Sequence, residues 1–262
     1  MMFPHIDLLY SLSGLLVGFI VGLTGVGGGS LMTPILVLLF HVHPPTAVGA
    51  DLLYAAATKT VGMLIYNLKR SIDWRITGRL ATGSIPSSIF TLLFLHTYGM
   101  NSQKIVDLIR TTLGIALLLT SITLIFRQKL AAFITQNRFT LNRDKIFLST
   151  VLTGIVLGVL VSITSVGSGG LGVSVLLLLY PNIGVARVIG SDIAHAVPLT
   201  LIPGIGYWIF NSIDWSMLTS LLVGSLPGIT IGSHLSSHTP EYLLCNVLAV
   251  TLIVVGSQLI FW

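Results

Sequence analysis

Charge is what this sequence has least of: 8% of its 262 residues are Asp, Glu, Lys or Arg, against 53% hydrophobic. Soluble globular domains carry roughly 25% charged residues. A chain this poor in charge cannot cover a water-facing surface, and its place is a lipid bilayer. Cysteine is scarcer still. The lone Cys245 excludes an internal disulfide, and no Cys-x-x-Cys or Cys/His zinc spacing exists; Cys245 lies in an apolar helix and is read as packing. Alternation with period two is nowhere sustained, so strands and a membrane barrel find no support. The first apolar run lacks a basic flank, having only His5 and Asp7, and lacks an Ala-x-Ala site. It is therefore not a cleaved signal peptide. A Walker A lysine is missing as well. Gly167-x-Gly169-x-x-Gly172 matches the dinucleotide pattern in form, but no βαβ unit surrounds it. The net charge of +5 requires no nucleic acid, because most basic residues fall in two short loops, as the positive-inside rule expects.

Apolar runs are what the sequence has in plenty. A helix needs about 20 apolar residues to cross a bilayer core. Runs of that kind lie near 7–24, 46–68, 76–98, 105–126, 146–164, 187–210, 216–235 and 241–262. Two shorter runs, 31–40 and 171–180, follow glycine-rich breaks. At 1.5 Å per residue each reaches about 15 Å, or half the core. The reading is an all-α polytopic membrane protein of about eight long helices plus two half-helices. It is also internally duplicated. Gly14 and Gly18 match Gly154 and Gly158, "TGVGGGSL" matches "TSVGSGGL", and "VGADLLYA" matches "IGSDIAHA". "SIDW" occurs at 71–74 and 212–215, and Gly83-Ser84-x-Pro86 recurs as Gly224-Ser225-x-Pro227. The repeats are 1–126 and 146–262. Between them, 127–145 carries five basic residues and one acidic one and is expected in the cytoplasm. The loop 69–79 has four positive charges, whereas its copy at 210–220 has none. Opposite charge on matching loops favours an inverted repeat. That requires each broken segment to count as two crossings, although its second helix looks too short.

Backbone that leaves the helix inside hydrocarbon survives only when buried in protein or lining a wet cavity. The breaks therefore face inward. The starts of the half-helices then offer N–H groups and about half a positive charge, which favour an anion. Candidate binding residues are Thr24, Gly25, Gly27, Gly28, Gly29 and Ser30 in the first break. In the second they are Thr164, Ser165, Gly167, Ser168, Gly169 and Gly170. The competing reading is helix packing by small residues. Charges within the apolar runs are usually functional. Asp51, Tyr54 and Lys59 lie in one run; Asp192 and His195 lie in its copy, three residues apart and on one face. Asp51 matches Asp192, and Tyr54 matches His195. These are candidate proton-handling or gating residues, since histidine titrates near neutral pH. Lys59 either attracts an anion or neutralises an aspartate. The alternative for both aspartates is capping of a helix start, the role expected of Asp73 and Asp214. Trp74 and Trp215 suit an aromatic belt.

The glycine breaks at 25–30 and 165–170, the "VGADLL" and "IGSDIA" helix starts and the paired "IDW" loops, in this order and over essentially the whole chain, resemble the TauE/SafE family of sulfite exporters. The resemblance implies a polytopic transporter of sulfite, thiosulfate, sulfoacetate or a related sulfur anion, coupled to protons. Asp51 and Asp192 stand where that family often has a hydroxyl residue, and Lys59 and His195 add charge. No cofactor and no metal is expected, and a homo-oligomer is compatible. A bacterial inner membrane is the expected location. Two other readings remain open. Asp51 and Asp192 would serve a cation transporter or channel, and Ser168 with His195 as base would serve an intramembrane hydrolase, which needs the two within about 3 Å.

Overall fold

The computed structural model describes residues 7–24, 29–100, 102–136, 143–210, 213–235 and 241–261. Ten helices follow in order: α1 (Leu8–Thr24), α2 (Gly29–Leu38), α3 (Pro44–Leu68), α4 (Trp74–Thr97), α5 (Gln103–Gln136), α6 (Arg143–Thr164), α7 (Leu171–Leu179), α8 (Val185–Ile209), α9 (Trp215–Leu235) and α10 (Glu241–Phe261). Among the described residues, six helices are long and apolar enough to cross a membrane: α3, α4, α5, α6, α8 and α9. α1 and α10 are apolar over shorter stretches.

Local chemistry sets the helix ends. Pro44 and Pro45 start α3, where the missing N–H costs nothing. Asp73 caps α4 by accepting the Arg75 N–H at 3.0 Å, and Asp214 accepts from Ser216 and Met217 at 2.9 and 3.2 Å. Both capping expectations hold. The basic stretch after residue 126 differs from expectation, because α5 continues through it to Gln136. Lys129, Leu130, Ala131 and Ala132 are good helix formers, so the helix outruns the apolar segment.

Glycine seams fix how the helices pair. α1 lies along α9, with Gly14 against the Leu221 backbone and Gly18 against Ser225. α6 lies along α4 in the same manner, with Gly154 against Leu80 and Gly158 against Ser84. From the other side, Gly224 meets Ser11 and Leu15, and Gly83 meets Val151 and Ile155. In both pairs residue numbers rise together, so the helices run parallel. α3 and α8 cross antiparallel instead: Gly49 touches Tyr207, Gly204 touches Leu53, Gly62 touches Ile193 and Gly190 touches Tyr66. Those contacts centre on Thr58 and Pro198.

Each broken segment is a hairpin. The Tyr10 ring near the start of α1 lies 4.8 Å from that of Phe40, just beyond the end of α2. About two turns into α6, Thr150 Oγ1 is 2.8 Å from the Tyr180 hydroxyl, just beyond the end of α7. α1–α2 thus enters and leaves at one end of the bundle, where α9 begins; the Asp7 N–H donates to Ser220 Oγ there. α6–α7 enters and leaves at the opposite end, where α4 begins; Arg79 donates to the Tyr180 hydroxyl there. In each hairpin the short second helix returns toward the end from which the first one sets out.

Candidate functional site

Helix α3 carries Asp51, Tyr54 and Lys59, and α8 carries Asp192 and His195. All five are buried; Lys59 is 7% exposed and the others 0%. Asp51 and Asp192 do not cap their own helices. Each sits a full turn or more inside, and the N-cap positions belong to His43 and Gly184. The sequence pattern misplaced those helix starts, because Pro44 and Val185 begin each helix earlier than the apolar runs suggest.

Instead, each aspartate reaches the half-helix that precedes it in the chain. Asp51 Oδ2 accepts the Thr33 Oγ1–H at 2.5 Å and the Thr33 N–H at 3.3 Å, one turn into α2. Asp192 lies at the start of α7. Its Oδ1 faces Gly172, where an added methyl would overlap it, and the Gly169 backbone lies nearby. Neither Asp192 oxygen completes a hydrogen bond, nor does Asp51 Oδ1.

The second break shows how such a site is built. Ser165 has φ +60°, Gly167 +129° and Gly169 +104°, so the chain turns through left-handed conformations that glycine tolerates and serine adopts only under constraint. Gly170 precedes α7 without any side-chain cap, leaving that helix start to other partners. Thr164 Oγ1 is used locally, donating to the Leu160 carbonyl at 2.7 Å and accepting the Val166 N–H at 3.1 Å. Ser165 points its buried hydroxyl toward Asp51 without completing a hydrogen bond. Ser168 Oγ accepts a hydrogen bond from Lys59 Nζ, and Lys59 interacts electrostatically with both Asp51 and Asp192. In the first break, Gly25, Gly27 and Gly28 lie outside the described residues, as do the side chains of Thr24 and Ser30 and the surroundings of Gly29.

Three site residues escape the sequence reading: Thr33, Ser84 and Ser225. Ser84 Oγ is 2.7 Å from His195 Nε2, while His195 Nδ1 has no partner. Ser225 lies beside Tyr54 in the corresponding way, although the Tyr54 hydroxyl completes no hydrogen bond. The signal was present, because the Gly-Ser-x-Pro repeat places a serine at matching positions of two apolar helices. The hydrolase pairing does not form: Ser168 is bound by Lys59, and His195 by Ser84. Among the described residues, no three His, Cys, Asp or Glu side chains converge to hold a metal ion.

The chain matches the family profile described as "Sulfite exporter TauE/SafE" over residues 10–259. It is 39% identical to "Probable membrane transporter protein YjnA" of Bacillus subtilis, over 95% of this chain and 98% of that protein. "Probable membrane transporter protein YdhB" of the same organism is 26% identical over 94% of this chain and 97% of its own length. A "Probable membrane transporter protein" of Xylella fastidiosa is 26% identical over 95% and 93%. No solved structure gives a significant match. With near-complete coverage, and with six helices suited to crossing a bilayer, the chain is an integral membrane protein that belongs to the TauE/SafE sulfite exporter family.

Proposed function

We propose that this protein is a secondary transporter that exports a small sulfur oxyanion, with sulfite the first choice and thiosulfate or a sulfonate next, coupled to protons. The anion sits at mid-membrane between the starts of α2 and α7. Asp51, Tyr54, Lys59, Asp192 and His195 handle the coupling. One observation carries the reading: a buried polar cluster with unpaired carboxylate oxygens lies against a helix break, inside an otherwise apolar bundle. Unpaired buried charge is costly and is retained where a ligand or a proton completes it. The sulfur chemistry rests on the family. The matching seams and opposed hairpins support an inverted duplication, the arrangement by which many transporters place a site between two broken helices. The end that carries Lys69, Arg70, Arg75 and Arg79 is cytoplasmic.

The test is binding by the purified protein. Thermal unfolding is followed with sulfite, thiosulfate, sulfoacetate and sulfate, each at pH 6 and pH 8. Selective stabilisation by one sulfur anion, lost when Gly167 is replaced by valine, is the expected result. No effect of any anion, with stabilisation by a divalent cation that requires Asp51 and Asp192, overturns the reading.

A further inference from the structure

The donors suited to an incoming anion are not vacant. Near the start of α2, the Thr33 N–H and hydroxyl already hold an anion, the Asp51 carboxylate. At the start of α7, the Asp192 carboxylate lies over Gly172 and beside Gly169. Gly172 has no side chain, and the room this leaves is taken by Asp192 Oδ1. The helix that follows each hairpin sends a carboxylate back to the very place where a substrate would bind. Both are buried with no exposure, and three of their four oxygens lack a hydrogen-bond partner.

We propose that Asp51 and Asp192 are tethered anions occupying the two seats of the transported oxyanion, and that an oxyanion enters a seat only when its resident carboxylate takes up a proton. This rests on the transporter reading above. The step balances simply: a proton from solvent converts the carboxylate to a carboxylic acid, the charge leaves the seat, and the oxyanion replaces it. Two anions on one half-helix start would repel strongly where water cannot screen them, so binding without the proton is suppressed. By linkage, each anion bound must then carry a proton with it. Lys59 is the shared counter-ion. It interacts with both carboxylates from a position close to the α3–α8 crossing, and its hydrogen bond to Ser168 keeps it beside the second seat.

The groups that face the seats are few. Among the described residues, Asp51 meets Thr33 from α2, Ser165 from the break, and Lys59 from its own helix. Asp192 meets Lys59 from α3 and the glycines of the break and α7, with His195 one turn away on its own helix. Lys59 and Tyr54 also titrate and face Asp51, but among these groups histidine is the one whose ordinary range falls between pH 6 and pH 8, so His195 is the necessary control.

The experiment is calorimetric titration of the purified full chain with thiosulfate, whose charge does not change between pH 6 and pH 8, in buffers of different ionisation enthalpy. Sulfite is run in parallel. Wild-type protein is expected to take up close to one proton per anion, and to bind about tenfold or more tightly at pH 6 than at pH 8. Asp51→Asn with Asp192→Asn keeps the hydrogen-bonding shape without the charge. That variant should still bind, with no proton uptake and less than about twofold change with pH. His195→Gln should retain the uptake. If the double variant does not fold, the single variants and the wild-type proton count decide. Anion binding by wild type with no proton uptake overturns the tethered-anion proposal and leaves the transporter reading standing. Proton uptake that persists in the double variant and vanishes in His195→Gln also overturns it, by moving the proton to the imidazole. Failure of every anion to bind defeats the transporter reading itself.

Discussion

At the scale of single residues the two halves of the buried cluster differ in charge at Lys59. Its counterpart in the second half is Thr200, a neutral residue whose hydroxyl is used by its own helix, donating to the Ala196 carbonyl at 2.8 Å. One cation thus serves two carboxylates, and it is docked on the second break. If Lys59 supplies the charge that draws an oxyanion in, Lys59→Met should weaken anion binding by roughly 10- to 100-fold, the usual range for losing a hydrogen bond to a charged group. Ser168→Ala removes the dock and keeps the charge, so it should cost only a few-fold. Titration at fixed pH, with thermal unfolding to confirm that each variant folds, measures both. Equal losses in the two variants would assign Lys59 a packing role. Gly172→Ala is a second test at this scale. Its methyl would overlap Asp192 Oδ1, so the carboxylate must move. Proton uptake per anion should drop even though no titratable group was removed.

At the scale of elements the glycine seams carry the fold. α1 and α6 each approach a partner helix so closely that a single methyl at Gly18 or Gly158 would overlap the backbone of Ser225 or Ser84. Those two serines are the ones facing Tyr54 and His195. A seam that opens would therefore loosen the site as well. Gly158→Val should lower the thermal unfolding temperature, as overpacking by about 1–3 kcal/mol does, and should weaken anion binding. Gly78→Ala, in α4 with no neighbour within 4 Å, should leave the temperature unchanged or slightly raised, because alanine is the better helix former. Much of this was legible in the sequence. Glycines at 14, 18, 154 and 158 repeat with a fixed offset, and identity at fixed offset survives without knowledge of contacts. The partners were not legible. Nothing in the spacing says that Asp51 meets Thr33 or that His195 meets Ser84, because these pairs join different helices, and Ser84 and His195 lie in opposite halves. An offset reveals which residues are equivalent, and only folding reveals which ones touch. The aspartates illustrate the cost of that gap. Read along the chain, capping of a helix start stays open beside a proton-handling role; in the fold, Pro44 starts α3 early enough to carry Asp51 into the interior.

At the scale of the whole molecule, charge gives the hairpins a direction. The connection from α3 to α4 and the start of α6 lie at the end where α6–α7 enters. Lys69, Arg70, Arg75, Arg79, Lys145 and Arg187 gather there, while Lys104 and Arg110 lie at the opposite end. Positive charge near membrane-crossing segments stays in the cytoplasm, so the proposed orientation has α6–α7 inserted from the cytoplasm and α1–α2 from outside. That proposal has a specific consequence: Leu8 and Phe261 are expected together on the extracytoplasmic side. Single cysteines in a Cys245→Ser background check this with a membrane-impermeant maleimide on intact cells. Thr97→Cys, at the exposed end of α4, should be labelled directly, and Arg70→Cys, exposed beyond α3, only after permeabilisation. The reverse pattern would invert the orientation and, with it, the side from which each tethered aspartate draws its proton. Labelling of both from one side would be a deeper failure, because Arg70 and Thr97 are separated by the single helix α4. That result would mean that α4 does not cross, and the opposed hairpins, with the central seat between them, would have to be abandoned.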